Sequence, residues 1–217
     1  MENELLNIFD EKGNHFGSAT RQEVHKFGYW HETFHCWFIS RDGEKEYIYF
    51  QKRCDSKKDY PNLFDITAAG HILAHETIKD GIREVKEELG IDVAFNELIP
   101  LGVIKYCAKQ EDFIDKELAN VFLYNSQKAF EDFTLQTEEV SGLVRADFKS
   151  FCEFWLGERK DILIEGFELN NIGKRVSIKK IVDKSLFVQH ELNYYERVLK
   201  LINEHIRLDK NPSLYEV

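Results

Sequence analysis

The sequence predicts an α/β fold, and three observations carry the prediction. Short β-prone runs recur along the chain, punctuated by turn residues. The stretch from Thr77 to Gly90 places apolar residues at helical spacing. A further strand, Glu138–Arg145, is followed at once by the amphipathic pattern of Phe148, Phe151, Cys152 and Trp155. Strands that alternate with amphipathic helices imply a layered domain with a mixed β-sheet between helices.

The whole chain sets the bounds. Its 217 residues suit one large domain, or one domain with an extension. With 43% hydrophobic and 13% aromatic residues the chain is globular in composition. No apolar run approaches the ~20 residues needed to span a bilayer. The acidic start, MENELLNIFDEKG, lacks the pattern of a signal peptide. The expectation is a cytoplasmic protein without a membrane partner. A net charge of −10 argues against a general nucleic-acid binder. Cys36, Cys54, Cys107 and Cys152 are widely separated and form no C-x-x-C pair, so reduced thiols are expected.

Taken in order, Leu5–Phe9 reads as a strand, Asp10–Gly13 as a turn, and the rest of residues 1–24 as a polar connection. His25, His31 and His35 then fall within eleven residues, a density that could ligate a metal. On spacing alone, ordinary hydrogen-bonded or exposed histidines explain them as well. Thr33–Ile39 and Glu46–Gln51 flank Asp42-Gly43, a strong hairpin signal. Arg53, Lys57 and Lys58 follow, a cationic cluster suited to phosphate oxygens or to an ordinary charged loop. Phe64–Ala69, Ile91–Phe95, Ile99–Lys105 and Val121–Tyr124 read as strands. In the segment Asp112–Glu117, Asp115 and Glu117 fall on one side of an extended chain. The helix at Phe148 is expected to stop at Gly157. Beyond it, Asn170–Lys174 reads as a turn. Leu192, Tyr195, Leu199, Ile202 and Ile206 mark a long amphipathic helix ended before Pro212. That helix could pack on the preceding domain or form a homodimer contact.

The stretch Gly70–Ile91 organises the chain. Thr77 followed by Asp80 is a modest helix-start signal, and Gly90 is a plausible stop. Ile78, Ile82, Val85 and Leu89 fall within roughly 60° of one another on a helical wheel. Glu84, Glu87 and Glu88 form a second stripe. Three carboxylates on one face repel one another. A solvated acidic face is the common explanation; a hard divalent cation with oxygen ligands is the other.

The full spacing favours the cation. Gly70, Glu76, Arg83, Glu84, Val85, Glu87, Glu88, Gly90 and Ile91 closely resemble the Nudix box, Gly-x5-Glu-x7-Arg-Glu-U-x-Glu-Glu-x-Gly-U, with U bulky and apolar. One departure stands out: six residues, not seven, separate Glu76 from Arg83. It leaves their expected pairing as a question for the structure. The resemblance implies a Nudix fold, α/β/α, over residues 25–157, with 1–24 as an N-terminal strand and turn and 158–217 as a C-terminal helical extension packed on the domain. It also implies a metal-dependent hydrolase of diphosphate bonds.

The flanks narrow it. Gln51-Lys-Arg53, Lys57, Pro61 and Ala-Ala-Gly70-His71 are similar to the branch related to isopentenyl-diphosphate isomerase. By that resemblance, His31, His71, Asp115 and Glu117 are metal ligands, and Arg53 and Lys57 grip the diphosphate. The isomerase carries its catalytic cysteine directly before the Gly-His pair, where this chain has Ala69. An alanine cannot transfer a proton, so hydrolysis is expected rather than isomerisation. On that reading Glu84, Glu87 and Glu88, helped by the Gly70 carbonyl, hold Mg2+ or Mn2+. Glu117 or Glu84 serves as general base, and Arg83 orients a box carboxylate. The remaining readings are isopentenyl-diphosphate isomerase activity and a nucleotide-binding Nudix module without turnover.

Overall fold

The computed structural model describes residues 3–110 and 113–210. Eleven strands among them belong to one mixed sheet. They are β1 (Leu5–Phe9), β2 (His15–Thr20), β3 (Trp30–Asp42), β4 (Lys45–Arg53), β5 (Phe64–Asp65), β6 (Ala68–His71), β7 (Ile99–Gln110), β8 (Phe113–Asn125), β9 (Val140–Asp147), β10 (Asp161–Leu169) and β11 (Arg175–Asp183). Four α-helices accompany them: α1 (Arg21–Phe27), α2 (Arg83–Leu89), α3 (Phe148–Trp155) and α4 (Leu192–Lys210). None of the described helices is long and apolar enough to cross a membrane.

Strand β3 is the centre. It pairs in parallel with β8 from Trp30↔Lys116 to Ile39↔Asn125, and antiparallel with β6 from Thr33↔His71 to Cys36↔Ala68. Its far end turns at Gly43 into β4, as the Asp-Gly signal predicts. Both faces are covered, so β3 is buried almost continuously, as expected for a strand between two helical layers. Phe34, Cys36 and Phe38 join the apolar cluster under α2, with Val85 and Leu89. Trp37 and Ile39 join the opposite cluster, with Phe151, Phe154 and Trp155 of α3 and Tyr194 and Tyr195 of α4. The alternation along one strand thus builds an α/β/α sandwich. On the α4 side, Trp155 stacks on Tyr195 with ring centroids 3.7 Å apart.

Four expectations need correction. Ile91–Phe95 is not a strand. Ile91, Val93 and Phe95 do alternate into the cluster under α2, but no neighbouring strand pairs with them. The polar connection before residue 25 is strand β2 and helix α1, with Thr20 and Glu23 forming a capping box. Phe64–Ala69 is divided between β5 and β6. The chain after 157 is not purely helical: β10 and β11 flank the Asn170–Lys174 turn and extend the sheet beyond β9. The expected stop before Pro212 and the start of the segment at Asp112 lie outside the described residues.

Candidate functional site

The sheet brings distant residues to one point. Parallel pairing sets His31 of β3 beside Glu117 of β8, and β6 sets His71 on the other flank of β3. Helix α1 packs over this end and carries His25 in its last turn, stacked on Phe113 at 4.6 Å. The rings of His25, His31 and His71 form a near-regular triangle, with centroids 5.1–5.3 Å apart. One nitrogen from each lies within 4.8 Å of the others, and the same holds for His31, Asp115 and Glu117. His31 therefore belongs to both triads.

The donor atoms are prepared for a cation. Nε2 of His25, His31 and His71, and Oδ1 of Asp115, are buried without a hydrogen-bond partner. Asp115 Oδ1 stands 3.5 Å from both His25 Nε2 and His31 Nε2, ion-pair contacts without a hydrogen bond, and buried polar atoms left so are costly unless a ligand satisfies them. His31 Nδ1 lies 3.1 Å from the Tyr29 carbonyl, the donor position that leaves Nε2 with its lone pair free. Burial holds the imidazoles of His31 and His71 below their ordinary range, hence neutral, as metal ligation requires. Burial and the nearby Glu117 push the Asp115 carboxyl up. Burial would raise Glu117 as well, but its close contact with His35 holds it well below the usual carboxylate range.

The second constellation is carried by α2. The helix starts later than the Thr77–Asp80 signal implies: Thr77 N and Oγ1 donate to Asp80 Oδ2 at 2.8 and 2.7 Å, but they brace a turn, and α2 begins at Arg83 without a side-chain cap. A single 3-10 turn, Asp80–Ile82, precedes the α-helix. That turn takes up the short spacing, and the Glu76–Arg83 pair forms, Arg83 Nε to Glu76 Oε1 at 2.7 Å. Arg83 Nη1 also donates to Glu84 Oε1 at 2.6 Å and to Glu87 Oε2 at 3.0 Å. Gly90 ends the helix in the left-handed region at φ 69°. Glu88 turns inward and accepts from Ala69 N at 3.1 Å and Gln51 Nε2 at 3.2 Å. Glu84 lies so close over Gly70 that a Cβ there would overlap its carboxylate. Burial, with repulsion from Glu87, pushes Glu84 up to about 7; burial, with repulsion from Glu84, pushes Glu88 up to about 8. Arg83 only partly offsets this for Glu84, and Lys57 for Glu88.

Both constellations line one cleft of about 250 Å³, together with Arg53, Lys57 and His190. Arg53 Nη1 donates to Asp65 Oδ2 at 3.0 Å, and His190 Nε2 lies 2.9 Å from Asp65 Oδ1. Lys57 is ion-paired with Glu139. Every site residue expected from the sequence thus faces this cleft or braces a residue that does, with one regrouping. Glu117 joins the histidine cluster, whereas Glu84, Glu87 and Glu88 stand with Gly70. Sequence reasoning raised His25 and His35 as candidates but left them as ordinary histidines, and it missed His190. His25 was passed over with the other histidines, although the capping box Thr20-x-x-Glu23 signals the helix that presents it. His190 carries no local signal.

The cleft thus joins a glutamate-bearing loop–helix–loop to a buried histidine–carboxylate cluster on an α/β/α sandwich, an arrangement of the class that hydrolyses phosphate anhydrides. No protein-family model matches the chain. An uncharacterized Nudix hydrolase of Clostridium acetobutylicum is 44% identical over 202 residues, covering 93% of this chain and 98% of the relative. Isopentenyl-diphosphate Delta-isomerase 1 of Photorhabdus laumondii is 28% identical, over 77% of this chain and 98% of that protein. Among solved structures, a MutT/nudix family protein from Enterococcus faecalis shares the fold at TM-score 0.52 and 12% identity, covering 81% of this chain and 62% of that one. The chain belongs to the Nudix hydrolase family, in the branch similar to isopentenyl-diphosphate isomerase. It is a pyrophosphohydrolase of a family that generally needs divalent metal ions.

Proposed function

We propose that the protein hydrolyses the diphosphate bond of a small organic diphosphate, nucleoside-linked or otherwise, with Mg2+ or Mn2+. The observation that carries this reading is the joint presence, in one cleft, of Glu84, Glu87 and Glu88 with two cations and no proton-transferring side chain at Ala69. Glu84, Glu87, Glu88 and the Gly70 carbonyl would hold metal at the α2 side. His25, His31, His71, Asp115 and Glu117 would hold it at the strand side. Bound there, the metal supplies charge neutralisation at the phosphates and a lowered pKa for water. Arg53 and Lys57 grip the diphosphate oxygens, the arginine through its planar fork. Arg83 holds Glu84 and Glu87 in orientation. Glu84 or Glu117, both facing the cleft, would take the proton from the attacking water.

The test is a phosphate-release screen over nucleoside diphosphates, nucleotide sugars, dinucleotides and isoprenoid diphosphates, with Mg2+ and with Mn2+. Glu87→Gln, at an exposed position where folding is not at stake, runs beside it. Metal-dependent release by the native protein, reduced on the order of 10²-fold or more in the variant, is expected. Tight nucleotide binding with no release would overturn hydrolysis in favour of a binding module. Dimethylallyl diphosphate formed from its isomer would overturn it in favour of isomerisation.

A further inference from the structure

The C-terminal helix reaches the histidine cluster through a chain of buried polar groups. Tyr194, in the first turn of α4, places its Oη 2.7 Å from His35 Nδ1 and 3.2 Å from Trp37 Nε1. His35 Nε2 lies 3.0 Å from Glu117 Oε2. Thr33 Oγ1 donates to that same carboxylate oxygen at 2.8 Å. All of these side chains are buried.

The donor inventory gives the chain one direction. Trp37 Nε1 can only donate, so Tyr194 Oη accepts from it. Ionised Glu117 can only accept, so His35 donates to it through Nε2–H. A neutral imidazole with its proton on Nε2 has a bare Nδ1, which accepts the Tyr194 hydroxyl proton. Each group then uses the donor or acceptor it has, from the indole to the carboxylate. The tautomer of His35, and with it the orientation of Glu117, is set by a hydroxyl 159 residues beyond His35 in the chain.

We propose that Tyr194 is a positioning residue for the histidine–carboxylate cluster, acting through His35 on the cation-ligating face of Glu117. The inference rests on the reading of that cluster as a metal site. Without the hydroxyl, His35 Nδ1 and Trp37 Nε1 lose a shared buried partner. The imidazole proton can move to Nδ1, and the bare Nε2 then faces Glu117 acceptor to acceptor. Outer partners of this kind set metal affinity by about 10–100-fold.

The experiment titrates full-length protein with Mn2+ by calorimetry, with His31→Ala identifying the binding event that belongs to the cluster. Tyr194→Phe keeps the ring and removes only the hydroxyl. Tyr195→Phe is the matched control: it removes a buried hydroxyl from the next residue of the same helix, one that donates to the Val188 carbonyl and touches no candidate ligand. The expected result is a 10–100-fold weaker cluster event in Tyr194→Phe and an unchanged one in Tyr195→Phe. Histidine 15N spectra of the metal-free protein should show His35 as the Nε2–H tautomer, lost in Tyr194→Phe. Equal effects of the two variants, or an unchanged tautomer with unchanged affinity, would overturn the positioning role. The absence of any His31-dependent Mn2+ binding in the native protein would overturn the metal site itself, and the inference with it.

Discussion

The cleft is lined by two ligand constellations built in opposite ways. The glutamates of α2 are local: three carboxylates within five residues, on one short helix, braced by Arg83 four residues or fewer away. The histidine–carboxylate cluster is assembled from α1, β3, β6 and β8, and it holds together only because β3 pairs with β6 on one side and β8 on the other. The local set keeps one member at the surface, with the Glu87 side chain 51% exposed. The assembled set is buried and leaves four ligand atoms without a hydrogen bond. The difference suggests a division of labour. A buried, prearranged site favours lasting occupation, whereas a partly open carboxylate face can share a cation that arrives with phosphate oxygens.

Separating the two sets gives the largest expected effect. Glu84→Gln should cut phosphate release on the order of 10²-fold or more while leaving the His31-dependent Mn2+ event in place. His31→Ala should remove that event. Calorimetry and release assays on the same preparations decide the matter. If either variant removed both binding events, the cleft would hold a single centre and the division above would fail.

The same contrast explains what was legible beforehand. The box is a spacing pattern, and a helix converts spacing into a face, so Glu84, Glu87 and Glu88 could be read directly. His31, His71, Asp115 and Glu117 came from resemblance, because no spacing brings together residues from three separate strands. His25 lacked even that, its position depending on a two-turn helix in a segment that looked polar. Ile91–Phe95 shows the converse error. Period-two alternation reports a side that is buried, not an edge that is paired, and here the buried side faces α2 alone. In β10 and β11 the Asn170–Gly173 turn was visible, but the charged stretch at Lys179-Lys180 masked the strand that follows it.

A middle-sized effect concerns pH. Glu84 and Glu88 stand at about 7 and about 8 in the metal-free fold, above the ordinary value of 4.5. Between 4.5 and about 8 the folded state therefore binds more protons than the unfolded chain. Stability is greatest below that window and falls as pH rises through it. Urea unfolding in a chelator should lose of the order of a few kcal/mol from pH 5 to pH 9. Saturating Mg2+ should flatten that slope, since a cation replaces the proton. The metal-free slope should also shrink in Glu88→Gln and persist in Asp115→Asn. A slope that tracked Asp115 instead would move the proton-binding group to the strand side.

The smallest effect tests how the cations wait. Lys57 lines the cleft but is engaged by Glu139, and burial with the nearby Arg53 pulls its ammonium below the usual lysine range. Substrate must therefore draw Lys57 from one anion to another. A pair that remains partly solvated contributes about 1 kcal/mol at most, which limits the gain from releasing it to about five-fold. Glu139→Gln keeps a similar shape and removes the charge. KM for the diphosphate should fall about two- to five-fold with kcat unchanged, because the lysine meets substrate and transition state alike. A KM that rises instead would show that Glu139 holds Lys57 in its gripping position, so that the ion pair is part of the binding site rather than a competitor for it.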